Sequence, residues 1–376
     1  MDWAAIRRDE FPVARKWAYF DHAAVAPLPR RSGNALRRWV DGQETDAVVL
    51  WTHWQKHLEE TRLRAARLIN ADAGEVAFVA STTLGIGLVA EGFPWRDGDS
   101  VISAADEYPS NVYPWMNLAS RGVTLRRVAA RDGRIQPEDI EAAIDGTTRV
   151  LAISFVEFST GFRNDLDVLS EICKRRGVAL LVDAIQGLGP LTLDVKRTPI
   201  DFLSADGHKW LLGPEGAGIL YVRREWIEQL RCLGTLGAHS VVDAHAYSGD
   251  NFTLKPDARR WEGGCYNMAG IQAFGQSLAL FEEIGFDAVS ARILDRADAV
   301  REVARARGWT VFGSSKPADC AGIVSLSRAG VDPESIVRHG RETGVVVSCR
   351  AGRLRVSPHI YNDDDDLGRL GELLGS

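Results

Sequence analysis

Along the middle of the chain, short strand-like runs alternate with stretches of helical period. Glu75–Ala80, Ser100–Ala104, Val123–Val128, Val150–Ser154, Val178–Val182 and Pro199–Ser204 are strand candidates, and Ser81–Ala90, Pro137–Ile144 and Leu166–Arg176 are helix candidates between them. The run Val178–Val182 is apolar at every position, as in a strand covered on both faces. Alternation of this kind predicts an α/β fold with a mainly parallel sheet between helices. Before it come an amphipathic helix with a Pro-containing turn over residues 1–18, a strand at Trp17–Asp21, and helices at Ser32–Asp41 and Thr52–Ile69. After the strand Ile219–Val222 the alternation weakens into a helix at Glu225–Arg231, a Gly-rich segment through Gly249 and a helix at Ala269–Ile284. The last part reads as helix Asp287–Arg307, strands Trp309–Phe312 and Gly322–Leu326, helix Pro333–Thr343 and strand Val345–Ser348. A final helix opens with Asp363–Asp366, where acidic residues suit the positive end of the dipole.

Composition narrows the classes. With 376 residues, 45% apolar, and a formal charge of −6, the chain can bury two sizeable cores and carries no basic block for a nucleic acid or an anionic membrane. Arg7, Arg8, Asp9 and Glu10 precede any apolar run, which argues against a secretory signal, and no run reaches the length of a membrane span. A cytoplasmic protein is expected. Cys173, Cys232, Cys265, Cys320 and Cys349 form no C-x-x-C pair, so neither a disulfide framework nor a zinc site is indicated. His53 and His57 stand at helical spacing but lack the Glu of H-E-x-x-H, and no metal is expected there.

The candidate chemistry centres on Lys209, in a loop between two strands beside His208. An amine desolvated in such a place becomes nucleophilic and can form a Schiff base. Asp183 ends the buried run Val178–Val182, where a carboxylate points into a ligand crevice. Ser81, Thr82 and Thr83 open a helix after a strand, and free N–H groups, dipole and hydroxyls together make an anion site. Neither G-x-x-x-x-G-K-[ST] nor a G-x-G-x-x-G after a strand is present, which removes the common nucleotide folds.

Tyr19–Ala24, Val182–Gln186 and Asp206–Lys209 resemble the class V aminotransferase family of fold-type I pyridoxal phosphate enzymes, on the side of cysteine desulfurases, cystine C–S lyases and isopenicillin N epimerase. The resemblance implies a large cofactor domain over 20–255, a smaller C-terminal α/β domain over 256–376, and an N-terminal segment, 1–19, packed with the latter. It implies that Lys209 is the Schiff-base and proton-moving lysine, that Asp183 pairs with the pyridine nitrogen, that Thr82 and Thr83 hold the phosphate, and that His208 is among the cofactor-binding residues. Tyr108 stands where the family carries a ring stacked on the cofactor, often His. Phe158 replaces an asparagine, leaving Gln186 to contact the phenolic oxygen alone. Asp206 replaces a phosphate-binding serine and is assigned to orienting His208 or a backbone turn. Gly264 and Cys265, the latter in place of a threonine, match the segment that reaches the phosphate of a neighbouring subunit, so a homodimer with its site at the interface is implied. Arg355 matches the arginine for the substrate carboxylate, with Arg350 and Arg353 nearby, and His22 and Asn267 are implied to face the substrate.

The reaction is less determined. A small amino acid bound through its Cα amine can undergo elimination, transamination or epimerisation, which share one substrate–cofactor adduct. Val347–Arg355 is too short for the mobile cysteine loop of desulfurases, and Cys349 reads as a packing residue. The reading leans to β-elimination of the C–S lyase type without a persulfide cysteine. Aminotransferase and epimerase are the alternatives, and a non-catalytic regulatory relative is a remote one.

Overall fold

The computed structural model describes residues 1–243 and 252–376; the Gly-rich segment through Gly249 lies partly outside them. In chain order the strands are β1 (Ala18–Tyr19), β2 (Val76–Val79), β3 (Ser100–Ala104), β4 (Thr124–Val128), β5 (Thr148–Ser154), β6 (Ala179–Asp183), β7 (Phe202–Asp206) and β8 (Gly218–Val222). They are followed by β9 (Thr310–Val311), β10 (Val324–Ser327), β11 (Val345–Val346), β12 (Ser348–Arg350) and β13 (Arg353–Val356). The helices are α1 (Trp3–Glu10), α2 (Arg30–Thr45), α3 (Trp51–Leu68), α4 (Thr82–Gly92), α5 (Tyr113–Asn117) and α6 (Pro137–Ala143). Beyond them come α7 (Leu166–Arg176), α8 (Met268–Ile284), α9 (Phe286–Ala306), α10 (Pro333–Thr343) and α11 (Asp364–Gly375).

A seven-stranded sheet in the order β2-β8-β7-β6-β5-β3-β4 forms the larger body. Its pairings are parallel except those of β8, which runs antiparallel to β2 and β7. The apolar runs are covered on both sides because successive residues face opposite ways. Leu180 and Val182 join one core with α3, α7 and α8, while Leu181 joins a second with α4 and α5. The N-terminal residues Ala18 and Phe20 lie in a third core, with α9, α10, α11 and the sheet β12-β13-β10-β9. That attachment is made by backbone pairing: β1 runs parallel to β11, and Ser357 donates its N–H to Phe20 at 2.7 Å.

The core residues of α8 pack with α2 and α3 on the large sheet, and those of α9 divide between the first core, at Val289 and Ile293, and the third, from Ala297. One expectation shifts. The helix expected at Glu225–Arg231 is a 3₁₀ turn, Arg224–Trp226. The carbonyl of Ile227 is taken by Arg260 at 2.7 Å and the N–H of Arg231 by the carbonyl of Gly92 at 2.9 Å, so the backbone bonds that would extend a helix are used elsewhere.

The position of α4 depends on Gly85. A Cβ there would overlap the Ser204 hydroxyl on β7 and meet Ser204 Cβ at 2.9 Å. The Ser204 hydroxyl also donates to the carbonyl of Thr82 at 3.1 Å, so it cannot turn aside without losing its bond. Gly85→Ala is expected to lower stability by about 1–3 kcal/mol through overpacking, read as a lower urea midpoint at unchanged slope. A midpoint equal to the wild-type value would show that α4 is free to move off the sheet.

Candidate active site

The carboxyl ends of β6 and β7, the start of α4 and the sheet of the smaller body meet around a cavity of about 390 Å³. Lys209 sits in its wall because the β7–β8 connection is a tight turn. Gly207 donates to the carbonyl of Ala217 at 3.0 Å, Gly213 to that of Gly207 at 2.8 Å, and Leu212 to that of Lys209 at 3.0 Å. Leu212 is fully buried at a φ of 57°, a left-handed value that a bulky residue keeps only where packing holds it. The segment from Ala23 braces the turn, Ala26 donating to the carbonyl of His208 at 2.8 Å.

Burial pulls the Lys209 ammonium down to about 8; Asp183 opposes this, and Arg355 lowers it further. Its Nζ lies 5.6 Å from the centre of the Tyr108 ring, which stands edge-on to Phe158. Asp183, buried at the end of β6, accepts from the N–H of Ile185 at 3.1 Å. Its carboxyl is pushed up to about 6 by burial, against that hydrogen bond and the attraction of Lys209.

The anion end is built on α4. The Ser81 hydroxyl caps α4 by accepting from the N–H of Leu84 at 3.1 Å, and Ser81, Thr82 and Thr83, at the positive end of the helix dipole, line the cavity. Thr82 Oγ1 accepts from the N–H of Asp206 at 2.9 Å, and Thr83 Oγ1 lies 2.7 Å from Ser110 Oγ. Asp206 turns inward: one oxygen accepts from Gly207 N–H at 2.7 Å and the other lies 2.9 Å from His208 Nδ1. It therefore faces the turn and His208 rather than an incoming anion.

Arg355, buried on β13, is held by Asp21 Oδ1 at 3.2 Å, the carbonyl of Phe158 at 3.1 Å and Ser348 Oγ at 3.3 Å. Arg350 also lines the cavity, with Nη1 donating to the carbonyl of Cys349 at 2.7 Å. Cys349 lies between Ser348 and Arg350 on β12, so its side chain takes the opposite face and packs on the third core. A two-residue connection, Ala351 at φ 49° and Gly352 at φ 70°, joins β12 to β13. No cysteine lines the cavity among the described residues.

Several sequence candidates stand elsewhere. His22 is fully buried behind the cavity, its ring nitrogens 2.8 Å from the carbonyl of Ser357 and from Tyr361 Oη; its neighbours Ala23, Ala24 and Val25 line the cavity instead. Asn267 caps α8 by accepting from Gly270 N–H at 3.0 Å and donates to the carbonyl of Gly216 at 2.9 Å. With Gly264 and Cys265 it borders a separate groove of about 280 Å³, so within one chain these three do not reach Lys209. Gln186 does line the cavity, accepting from Trp210 Nε1 at 2.7 Å and donating to the carbonyl of Ala23 at 3.0 Å, with one amide hydrogen left over. Sequence reasoning missed Glu107 and Glu157, both buried beside Asp183. A glutamate just after a buried strand is the one signal that could have raised them.

Residues 18–370 match the family described as Aminotransferase class-V. The chain belongs to the class V aminotransferase family. A probable cysteine desulfurase of Methanothermobacter thermautotrophicus is 30% identical to it, over 98% of this chain and 96% of the relative. A cysteine desulfurase of Salmonella agona is also 30% identical, over 96% and 95%. Among solved structures, an apo cysteine desulfurase from Thermococcus onnurineus NA1 superposes with a TM-score of 0.89 at 23% identity, over 99% of this chain and 97% of that one. The cystine C–S lyase C-DES, in complex with its product cysteine persulfide, superposes with a TM-score of 0.91 at 21% identity, over 98% and 99%.

Members of this family are pyridoxal phosphate-dependent enzymes, and the cavity fits that cofactor. It offers an anion-binding helix start, a buried carboxylate for a protonated ring nitrogen, an aromatic face at Tyr108 and a desolvated amine. Among the described residues the buried His208 Nδ1, 2.9 Å from Asp206, makes no hydrogen bond of good geometry. In cofactor-free protein, the rate at which an amine-directed acylating reagent modifies Lys209 should rise with a midpoint near pH 8. Asp183→Asn should move that midpoint lower, since the carboxylate favours the ammonium. A midpoint near that of free lysine, followed by peptide mapping, would show the amine to be solvated.

Proposed function

We propose that this enzyme catalyses β-elimination from a cysteine- or cystine-type amino acid, releasing a sulfur leaving group without a protein persulfide. The observation that carries the reading is the orientation of Cys349, set by strand alternation on the face of β12 that packs on the third core, and so turned away from a substrate sulfur in the cavity. The bound cofactor would supply an electron sink for the pair left at the substrate's Cα.

The residues then divide the work. Lys209, whose ammonium burial pulls down to about 8, would be the amine that holds the cofactor aldehyde, and it is the base placed to take the proton from the substrate's Cα. Asp183 holds the proton on the ring nitrogen. Thr82 and Thr83 would hold the phosphate at the start of α4, Tyr108 would cover the ring, His208 would stand beside it, and Gln186 has a free amide hydrogen for the phenolic oxygen. Arg355, fixed in place by Asp21 and the Phe158 carbonyl, takes the α-carboxylate. As the Cα–H bond breaks, its electrons form the Cα–Cβ double bond, the Cβ–S bond breaks and the sulfur leaves with its pair. Hydrolysis of the released enamine gives pyruvate and ammonia. Gly264, Cys265 and Asn267 are assigned to the edge of a second subunit's site, in a homodimer.

Incubation with cystine or cysteine and no acceptor keto acid should give pyruvate in proportion to substrate consumed. Cys349→Ala should leave that rate within about twofold, as expected for a residue that only packs. A dependence on acceptor keto acid would replace elimination by transamination, and loss of sulfur release in Cys349→Ala would restore a persulfide route. Arg355→Ala should raise KM for the amino acid about 10- to 100-fold, the value of a charged hydrogen bond. Lys209→Ala should cut kcat by about 10²–10⁴-fold. An unchanged KM in the first variant would transfer the carboxylate to Arg350.

A further inference from the structure

The hairpin that carries Arg355 presents a second guanidinium to the same cavity, and the reaction above gives it no part. In the β12–β13 register Ser348 stands opposite Arg355, and Arg350 opposite Arg353. Residues two apart on a strand share a face, so Ser348, Arg350, Arg353 and Arg355 lie on one side of the hairpin. Cys349 and Leu354, between them, pack on the third core. Arg350 and Arg355 are diagonal neighbours in this ladder, a backbone separation of about 7–8 Å.

The three arginines of that face are engaged differently. Arg355 is held by Asp21, by Ser348 and by the carbonyl of Phe158. Arg353 turns to β10, where its Nε donates to Ser325 Oγ at 3.0 Å, and its guanidinium lies 3.9 Å from the centre of the Phe312 ring. Arg350 is half-buried in the cavity wall, and its side chain donates only to the carbonyl of Cys349, its own neighbour in the chain. Among the described residues it forms no ion pair. The acidic groups around the cavity are turned to other partners. Asp183 accepts from Ile185 N–H, Asp206 faces Gly207 and His208, and Asp21 Oδ1 accepts from both Ser348 and Arg355.

A guanidinium without a counter-ion, in a cavity partly closed to water, is stabilised by an anion that docks on its planar fork. The substrate's α-carboxylate is taken by Arg355, the arginine fixed from three directions, so an anion for Arg350 has to come from the substrate's side chain. We propose that Arg350 is the specificity-determining residue of this site, and that the amino acid it favours carries a second acidic group beyond Cβ, on the part that leaves with the sulfur. This selects substrates whose sulfur substituent ends in a carboxylate, as each half of cystine does for the other, over cysteine itself. The inference rests on the reading of Arg355 as the group for the α-carboxylate.

The test uses two ligands that differ only at the far end, S-carboxymethylcysteine and S-carbamoylmethylcysteine, a carboxylate against an isosteric amide. Dissociation constants are read from the visible absorption of the holoenzyme. The carboxylate ligand is expected to bind about 10- to 100-fold more tightly than the amide, the value of a hydrogen bond to a charged group. In Arg350→Gln that ratio should fall to within about twofold of unity, and in Arg350→Lys, which keeps the charge without the fork, it should fall only in part. Each ratio is taken within one protein, so it depends neither on the fraction folded nor on a change in Lys209 when a neighbouring cation is lost. A ratio near one in wild type overturns the proposal, and so does a ratio that Arg350→Gln leaves unchanged. Equal weakening of both ligands in Arg350→Gln overturns it as well, and moves the α-carboxylate to Arg350. In Arg355→Ala both ligands should weaken alike; a ratio lost there and kept in Arg350→Gln would exchange the two arginines. The reaction is judged separately. If cystine gives no pyruvate without an acceptor keto acid, elimination fails, and the ratio of dissociation constants still decides the part of Arg350.

Discussion

The cost of removing charge from water shapes this molecule most. At the carboxyl ends of β6 and β7 an amine and a carboxylate are taken out of solvent together, and each moves towards its neutral form: Lys209 down to about 8, Asp183 up to about 6. Their mutual attraction opposes both shifts and keeps the pair useful rather than merely expensive. The residues around them limit contact with water, Lys209 staying half-buried in the cavity wall, without supplying a tighter partner. The β7–β8 turn fixes the backbone of Lys209, and Trp210, fully buried, closes the side behind it. Tyr108, by contrast, is 45% exposed and forms the face from which a planar ligand can enter.

The same cavity is also a junction between bodies. Arg355 stands on a strand of the smaller sheet, yet it is held by Asp21 from the N-terminal segment and by the carbonyl of Phe158 from the larger body. The Ser348 hydroxyl, on the next strand, donates to the same Asp21 oxygen at 2.7 Å. An arginine fixed from three directions loses little freedom when it meets a carboxylate, which is how a binding group becomes an orienting one. The buried pair Arg62–Glu262, 2.6 Å apart, plays a comparable part on the other flank, because Glu262 also accepts from Phe78 N–H at 2.5 Å and so fixes the chain that runs on to Gly264 and Cys265.

Much of this was legible from residue order. The run Val178–Val182 is covered on both faces because it is apolar at every position, and Asp183 ends β6 while Lys209 follows β7, where the chain itself sets their place. What was not legible depends on direction in space. His22 and Asn267 sit beside residues of the cavity and the groove in sequence, but a turn of one residue sends His22 into the core, and Asn267 spends its side chain as a helix cap. Glu107 and Glu157 were invisible because a charge in a loop reads as solvated until the packing around it is known. The 3₁₀ turn at Arg224–Trp226 was lost for a similar reason: Arg260, far along the chain, takes the carbonyl that a helix would need.

Charge within the cavity has an arrangement of its own. Lys209, Arg350 and Arg355 line it, and both guanidinium groups lower the affinity of Lys209 for its proton. An anion docked on Arg355 cancels part of that pull, so the amine becomes a stronger base once a carboxylate is in place. Asp183, on the other side, works in the same direction whenever it is ionised, since its negative charge favours the ammonium. The base is thus weakest in the empty cavity, where a protonated lysine would be least reactive towards a cofactor aldehyde, and strongest when a substrate Cα–H bond lies beside it. On the proposed reaction, one set of fixed charges would serve two opposed demands, capture by a neutral amine and proton abstraction by a basic one, and the difference between them would be the charge the substrate itself brings.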